Sequence, residues 1–153
     1  MSRYRERIYG HYVEAASTPL VPPTLDGLEP RRAVLARLIV EHFPRERDAR
    51  ILELGCGHGA LLHFARQERY TNMAGIDASP AQVAAAQRLG IAGVGHGELL
   101  PTLKATPPGS QDAVVAYDVI EHLTKDELLD MADEVARVLK PGGRWIINAP
   151  NGL

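Results

Sequence analysis

At 153 residues, of which 45% are hydrophobic and 24% are charged, the chain has the length and composition of one globular domain with a core of its own. The formal net charge of −2 favours neither nucleic acid nor an anionic membrane surface as a partner. The single cysteine, Cys56, excludes an intrachain disulfide and is typical of a cytoplasmic protein, and no apolar run approaches the ~20 residues that cross a bilayer.

The pattern of the first 30 residues predicts an N-terminal arm, followed by a main domain over residues 31–153. A proline-rich stretch at residues 19–23 indicates an extended connector rather than a core element. The arm also carries three tyrosines, Tyr4, Tyr9 and Tyr12.

The main domain alternates between helical and extended patterns, which is typical of parallel β-α-β units. Thr124 and Glu127 have the spacing of a capping box before the last helix. The predicted strands are 50–54, 72–77, 91–94, 112–117 and 144–149, and the predicted helices are 31–43, 60–69, 80–89 and 125–139. Several strands are almost wholly apolar, as strands buried on both faces must be. We therefore predict an α/β fold with a mostly parallel sheet of five strands.

The segment from Ile51 to Ala60 predicts a strand that turns through three glycines into a helix. Glycine lets a backbone turn tightly and approach a ligand closely, and the amides at the start of the helix attract anions. Asp77 ends the next strand, where its carboxylate can accept hydrogen bonds from ribose hydroxyls. The pattern indicates a nucleotide-like cofactor, and at this point both NAD and S-adenosylmethionine satisfy it.

Four blocks together resemble the class I S-adenosylmethionine-dependent methyltransferases, particularly the small-molecule group that includes the ubiquinone and menaquinone biosynthesis methyltransferases. The blocks are Glu53–Gly59, Gly75–Ser79, Asp112–Leu123 and Leu139–Gly143, in that order. The resemblance implies a Rossmann-like, doubly wound sheet and S-adenosylmethionine as the cofactor. Similar enzymes have seven strands, so we expect this chain to be truncated after the fifth strand, with the last two missing.

The resemblance also implies the cofactor contacts. Glu53 is expected at the cationic amino-acid tail of the cofactor, and Asp77 at its ribose. Where the family commonly has an acidic residue near the adenine, this chain departs from the usual pattern, and Glu98 is the nearest carboxylate. A solvated loop glutamate is the alternative for that residue. The full set of expected cofactor-binding residues is Glu53, Gly55, Cys56, Gly57, Asp77, Ala78, Glu98, Leu99, Tyr117 and Asp118.

His122 follows the fourth strand and is the candidate catalytic base, because an imidazole can take a proton near neutral pH. The alternative is a structural histidine that closes the loop before Thr124. The histidines show neither the spacing nor the cysteine partners of a metal site, so no metal is expected. In similar enzymes an N-terminal lid covers the cofactor, and the tyrosines of the arm are candidates for that lid, with plain packing as the alternative.

We therefore expect a methyltransferase that acts on a small molecule, at oxygen. The alternatives are a cofactor-binding module or fragment without turnover and, less favoured, an NAD-dependent oxidoreductase. The apolar fifth strand, over residues 144–149, predicts an exposed sheet edge. Such an edge invites pairing with a second copy, which makes a homodimer the expected assembly if the chain is complete.

Overall fold

The computed structural model describes residues 24–150, so the predicted tyrosine lid lies outside the described residues. The strands are β1 (Ile51–Leu54), β2 (Met73–Asp77), β3 (Val94–His96), β4 (Gln111–Tyr117) and β5 (Leu139–Asn148). The helices are α1 (Leu25–Leu28), α2 (Arg32–His42), α3 (Ala60–Gln67), α4 (Pro80–Arg88), α5 (Leu99–Ala105) and α6 (Lys125–Val138), with 3-10 turns at Glu29–Arg31 and Ile120–His122.

The five strands form one parallel sheet in the order β3-β2-β1-β4-β5. The chain moves outward from β1 to β3 and then returns to the other side of β1 with β4. The strand order therefore reverses between β1 and β4, where open α/β sheets bind their ligands beyond the carboxyl ends of the strands. The predicted doubly wound α/β fold is confirmed.

Both faces of the sheet are covered, which explains why all four residues of β1 are buried. Ile51 belongs to the core cluster that contains Phe64 of α3, whereas Leu54 belongs to the opposite cluster, with Met131 of α6. Successive side chains of a strand point to opposite faces, so Glu53 points to the same face as Ile51. The sequence pattern thus places one carboxyl group inside an otherwise apolar layer.

The capping box predicted at the start of α6 is confirmed. The Thr124 hydroxyl accepts a hydrogen bond from the Glu127 amide at 3.3 Å, and the Glu127 carboxylate accepts one from the Thr124 amide at 2.9 Å. These bonds satisfy two amides that the helix itself cannot pair. Within residues 24–150, α6 is the longest helix at 14 residues. No helix in that range has the length and apolar character needed to cross a membrane.

The third strand lies later in the chain than residues 91–94, where it was predicted. The apolar residue Ile91 is buried, but its amide bonds to the Ala86 carbonyl and closes the end of α4. The two glycines on either side of it, Gly90 and Gly93, have positive φ angles of 70° and 87°. Extended pairing with β2 therefore begins only at Val94.

Two further elements differ from the prediction. Helix α5 was not among the predicted helices; it holds Pro101 in its first turn, where a proline removes no intrahelical hydrogen bond. Strand β5 begins at Leu139 rather than at residue 144. Residues 140–143 form an irregularity between the pairs that Leu139 and Arg144 make with β4.

Candidate functional site

A cleft of about 280 Å³ opens at the carboxyl ends of β1, β2 and β4, beside the point where the strand order reverses. Ten of the residues expected at the site line it, and Glu98 does not. The ten are Glu53, Gly55, Cys56, Gly57, Asp77, Ala78, Leu99, Tyr117, Asp118 and His122. The fold therefore brings together residues that lie up to 69 positions apart in the chain.

The loop between β1 and α3 forms one wall of the cleft. Gly55 has a φ angle of +66°, and a Cβ atom at this position would lie 2.6 Å from Cγ2 of Val119. No other residue type fits both the backbone conformation and the space. The amide of Cys56 bonds to the Ile76 carbonyl at 2.9 Å and so fixes the loop against β2.

Asp77 links this loop to the start of α4. One carboxylate oxygen accepts a hydrogen bond from the Gly57 amide at 2.8 Å, and the other accepts one from the Ser79 amide at 2.8 Å. Ser79, not Asp77, is the N-cap of α4, because its side chain accepts a bond from the Gln82 amide. Each Asp77 oxygen keeps a further lone pair for a ligand in the cleft.

Glu53 is the buried charged group of the cleft. The residue is only 4% exposed, and its Oε2 atom has no hydrogen-bond partner among the described residues. Burial raises the pKa of Glu53 to about 8; Arg31 opposes the shift and Asp77 adds to it. A buried carboxyl group without a partner is costly, which points to a partner that enters with a ligand.

This burial predicts a pH-dependent stability. Because the pKa of Glu53 is higher in the folded than in the unfolded chain, its contribution to stability is full below the unfolded value and is lost as the pH rises through about 8. We expect the ligand-free chain to lose about 2 kcal/mol of unfolding free energy from this group between pH 6 and pH 8. Urea unfolding of the native chain and of Glu53→Gln measures the difference. Equal pH dependence in the two proteins would contradict the assignment.

Tyr117, Asp118 and His122 form the wall that follows β4. Asp118 has a positive φ angle of 55°, which is rare for a residue with a side chain. Asn148 at the end of β5 holds it there, since the Asn148 carbonyl accepts from the Asp118 amide at 2.9 Å and the Asn148 side-chain amide donates to the Asp118 carboxylate at 2.8 Å. His122 ends a 3-10 turn, with its side chain 43% exposed and 4.0 Å from the Glu121 carboxylate.

Two of the expected residues have surroundings that differ from a simple ligand contact. Cys56 is 7% exposed, and burial raises the pKa of its thiol, so it remains a neutral packing group. Its side chain lies against Gly75, where a Cβ atom would meet the cysteine Cβ at 2.7 Å. Glu98 is exposed and precedes α5, whereas its neighbour Leu99 lines the cleft.

The cleft also contains residues that the sequence did not indicate. Arg31 lies just before α2, with its guanidinium carbon 5.5 Å from the centroid of the Tyr117 ring. His58 and Gln82 pair at 3.0 Å between a ring nitrogen and the amide oxygen. Gln82 is in the first turn of the helix that follows Asp77, and this position could have been predicted from the helix start. The contact of Arg31 with Tyr117 of β4 could not have been predicted from the sequence.

Metal binding has no structural support in the part of the chain that the structure describes. Among residues 24–150, no three or more His, Cys, Asp and Glu side chains are grouped as a metal site requires.

Comparison with known proteins agrees with this geometry. A family model described as a methyltransferase domain matches residues 52–145. A ubiquinone biosynthesis O-methyltransferase from Xylella fastidiosa is 30% identical over 107 residues, which are 67% of this chain and 42% of that protein. A probable S-adenosylmethionine-dependent methyltransferase from Mycolicibacterium smegmatis is 35% identical over 110 residues, 67% of this chain and 38% of that one.

A solved structure leads to the same family. The crystal structure of an S-adenosylmethionine-dependent methyltransferase from Archaeoglobus fulgidus superposes with a TM-score of 0.69 at 25% identity, covering 80% of this chain and 54% of that one. The chain spans about two fifths of the length of the curated relatives it matches. With the matched domain, the doubly wound sheet and the glycine loop in agreement, the chain belongs to the class I S-adenosylmethionine-dependent methyltransferases.

Proposed function

We propose that this chain binds S-adenosylmethionine in the described cleft and transfers its methyl group to a small-molecule acceptor, at an oxygen atom. The observation that carries the proposal is the meeting of Glu53 and Asp77 at one cleft, on either side of the glycine loop. The unpaired Glu53 oxygen and the Asp77 oxygens fit the ammonium and the ribose of the cofactor, respectively. The relatives named for ubiquinone O-methylation support the choice of acceptor class and atom.

The amino-acid tail of the cofactor carries one positive and one negative group, and the cleft offers a partner for each. Glu53 is the partner for the ammonium group because its carboxyl group is buried and lacks a bond at Oε2. Arg31 is the partner for the carboxylate, since a guanidinium binds a carboxylate through paired hydrogen bonds. We assign the tail to these two residues.

The nucleoside half of the cofactor is assigned to the other side of the glycine loop. Asp77 accepts hydrogen bonds from the ribose hydroxyls while its existing bonds to Gly57 and Ser79 keep it oriented. Ala78 and Leu99 line the cleft beyond Asp77 and supply apolar contact for the adenine. Glu98 precedes Leu99 and is proposed near the adenine amine at the rim of this subsite.

When bound, S-adenosylmethionine supplies an electrophilic methyl group on a sulfonium. Displacement from sulfur is in line, so the main task of the protein is to hold donor and acceptor in one geometry. Tyr117 and Asp118 form the wall that faces the reacting groups, and Asp118 is fixed there by its bonds to Asn148. His122 accepts the proton that the acceptor hydroxyl releases, and the electron pair of the broken carbon–sulfur bond remains on sulfur.

Replacing His122 with alanine tests this role. We expect kcat to fall by roughly 10²–10⁴-fold, the usual contribution of a general base, with the cofactor dissociation constant nearly unchanged. His42→Ala is the matched control, because His42 is an exposed histidine at the end of α2 and does not line the cleft. Full turnover in His122→Ala would leave the structural alternative for this histidine.

The experiment that tests the function is methyl transfer from isotopically labelled S-adenosylmethionine to a panel of phenols, alcohols, amines and carboxylates. We expect label on phenolic or alcoholic oxygen and loss of transfer in Asp77→Asn. Label on nitrogen alone would contradict the assignment to oxygen. Cofactor binding without transfer to any acceptor would favour the non-catalytic module.

The proposal extends to assembly and location. Within the described sheet β5 pairs only with β4, and Ile147 on β5 is 44% exposed. For the 153-residue chain, with β5 at the edge of the sheet, we propose that this edge pairs with β5 of a second copy, in a cytoplasmic homodimer. Light scattering after size exclusion is expected to give twice the chain mass, and the mass of one chain for Ile147→Lys. A native chain that elutes as a monomer would contradict the dimer.

A further inference from the structure

Glu53 combines burial, a missing partner and contact with the cleft. It is 4% exposed, its Oε2 atom has no hydrogen-bond partner among the described residues, and it lines the cleft on the face of β1 that it shares with Ile51. Strands β2 and β4 flank it, opposite Gly75 and Val115. Neither of these two neighbours carries a side-chain hydrogen-bonding group, so the flanking strands supply no partner for Oε2.

The titratable groups nearest Glu53 come from three segments. Arg31, just before α2, is the cation that acts on it, while Asp77 at the end of β2 is the anion. Cys56 in the glycine loop is kept neutral by burial, which raises the pKa of its thiol. The other titratable residues that line the cleft are His58, Tyr117, Asp118 and His122. One guanidinium thus acts on Glu53 in competition with the Asp77 carboxylate, which leaves an ionised Glu53 without an adequate counterion.

Building on the proposed function, we propose that cofactor binding expels a proton from Glu53, whose carboxylate then takes the cofactor's ammonium group as its counterion. The O–H bond of the buried carboxyl group breaks, the proton passes to solvent, and an N–H···O bond from the ammonium forms in its place. No electron transfer is involved. Burial supports a protonated starting state, since the pKa of Glu53 is raised to about 8 in the ligand-free chain.

The exchange makes the cofactor affinity depend on pH. Binding favours the ionised carboxyl group, so the affinity rises with pH while the free chain holds the proton, by up to about tenfold per pH unit. It stops rising near pH 8, where Glu53 is ionised without the ligand, and falls at higher pH because the free ligand's ammonium group loses its proton. A ligand that lacks the amino-acid tail has no ammonium to exchange and binds with no such dependence.

Calorimetric titration with S-adenosylhomocysteine at pH 6.5 tests the exchange. In phosphate and in imidazole buffers, which differ in ionisation enthalpy, the difference in measured heat counts the protons released. At pH 6.5 an α-amino group already carries its proton, so a released proton comes from the protein. We expect about one proton per bound ligand and a dissociation constant that falls about tenfold between pH 6 and pH 7.

Two control titrations identify the source of the proton. Glu53→Gln keeps the shape of the side chain and is expected to release none. 5′-Methylthioadenosine, which lacks the tail, is expected to release none from the native chain, and this titration decides the question if the variant does not fold. Binding of S-adenosylhomocysteine without proton release, or the same release in either control titration, would overturn the exchange. Failure of the native chain to bind S-adenosylhomocysteine would instead overturn the proposed function.

Discussion

Replacing Asp77 with asparagine is expected to weaken cofactor binding by about 100-fold, with kcat/KM falling at least as far. Both carboxylate oxygens accept backbone hydrogen bonds, from Gly57 and from Ser79, and an asparagine replaces one acceptor with a donor. A hydrogen bond to a charged group contributes about 1.5–3 kcal/mol, so the loss of one to the loop or to the ribose corresponds to roughly this factor. Equilibrium titration with S-adenosylhomocysteine measures it.

Asp112→Asn is the matched control for that variant. Asp112 also accepts a backbone bond, from the Arg50 amide at 2.8 Å, and its other oxygen pairs with the Lys140 ammonium at 2.7 Å. That ammonium holds the pKa of the Asp112 carboxyl below its usual range. The pair lies at the amino ends of β4 and β5, whereas the cleft opens at the carboxyl ends of the strands, so we expect reduced stability and unchanged cofactor affinity. Equal loss of affinity in both variants would show that Asp77 acts only through the fold.

Replacing Gly55 with alanine is expected to lower the free energy of unfolding by about 2–5 kcal/mol and to abolish cofactor binding. A left-handed backbone costs a residue with a side chain about 1–2 kcal/mol. The new Cβ atom would also lie 2.6 Å from Cγ2 of Val119, an overlap that adds about 1–3 kcal/mol and moves the cleft wall. Urea unfolding and ligand titration measure the two effects.

Gly109→Ala separates the two causes. Gly109 has a similar φ angle of +58°, but a Cβ atom there would meet nothing within 4 Å. This control is expected to show the backbone cost alone and to bind cofactor normally. Val119→Ala should in turn cost less in the Gly55→Ala background than in the native chain, because it removes the overlapping methyl group. The same cost in both backgrounds would contradict the contact as the cause.

The agreement between sequence and structure is best where local chemistry determines the element. The apolar residues of β1 and the capping box of Thr124 and Glu127 predict their elements from neighbours in the chain. Agreement is poorer where one residue has two compatible roles. Ile91 is apolar and was taken for a strand, although its burial serves the end of α4. Helix α5, with Pro101 in its first turn, was not predicted at all.

The residues of the cleft also fall into those that the sequence predicts and those that it does not. Glu53 and Asp77 are predictable because each stands near the carboxyl end of a strand, and parallel strands bring those ends to one edge of the sheet. Arg31 and Asn148 reach the cleft region through tertiary contacts with Tyr117 and Asp118. Nothing in their own sequence neighbourhoods indicates these contacts. Asp118 was predicted at the site. Its left-handed conformation was not predicted, because it depends on hydrogen bonds from Asn148 of β5.

The most direct test of the central claim is a crystal structure of the chain with S-adenosylhomocysteine. The claim predicts the ligand in the cleft at the ends of β1, β2 and β4, with its ammonium group hydrogen-bonded to Glu53 and its ribose hydroxyls to Asp77. A ligand bound elsewhere, or one whose ribose and tail contact neither carboxyl group, would contradict it.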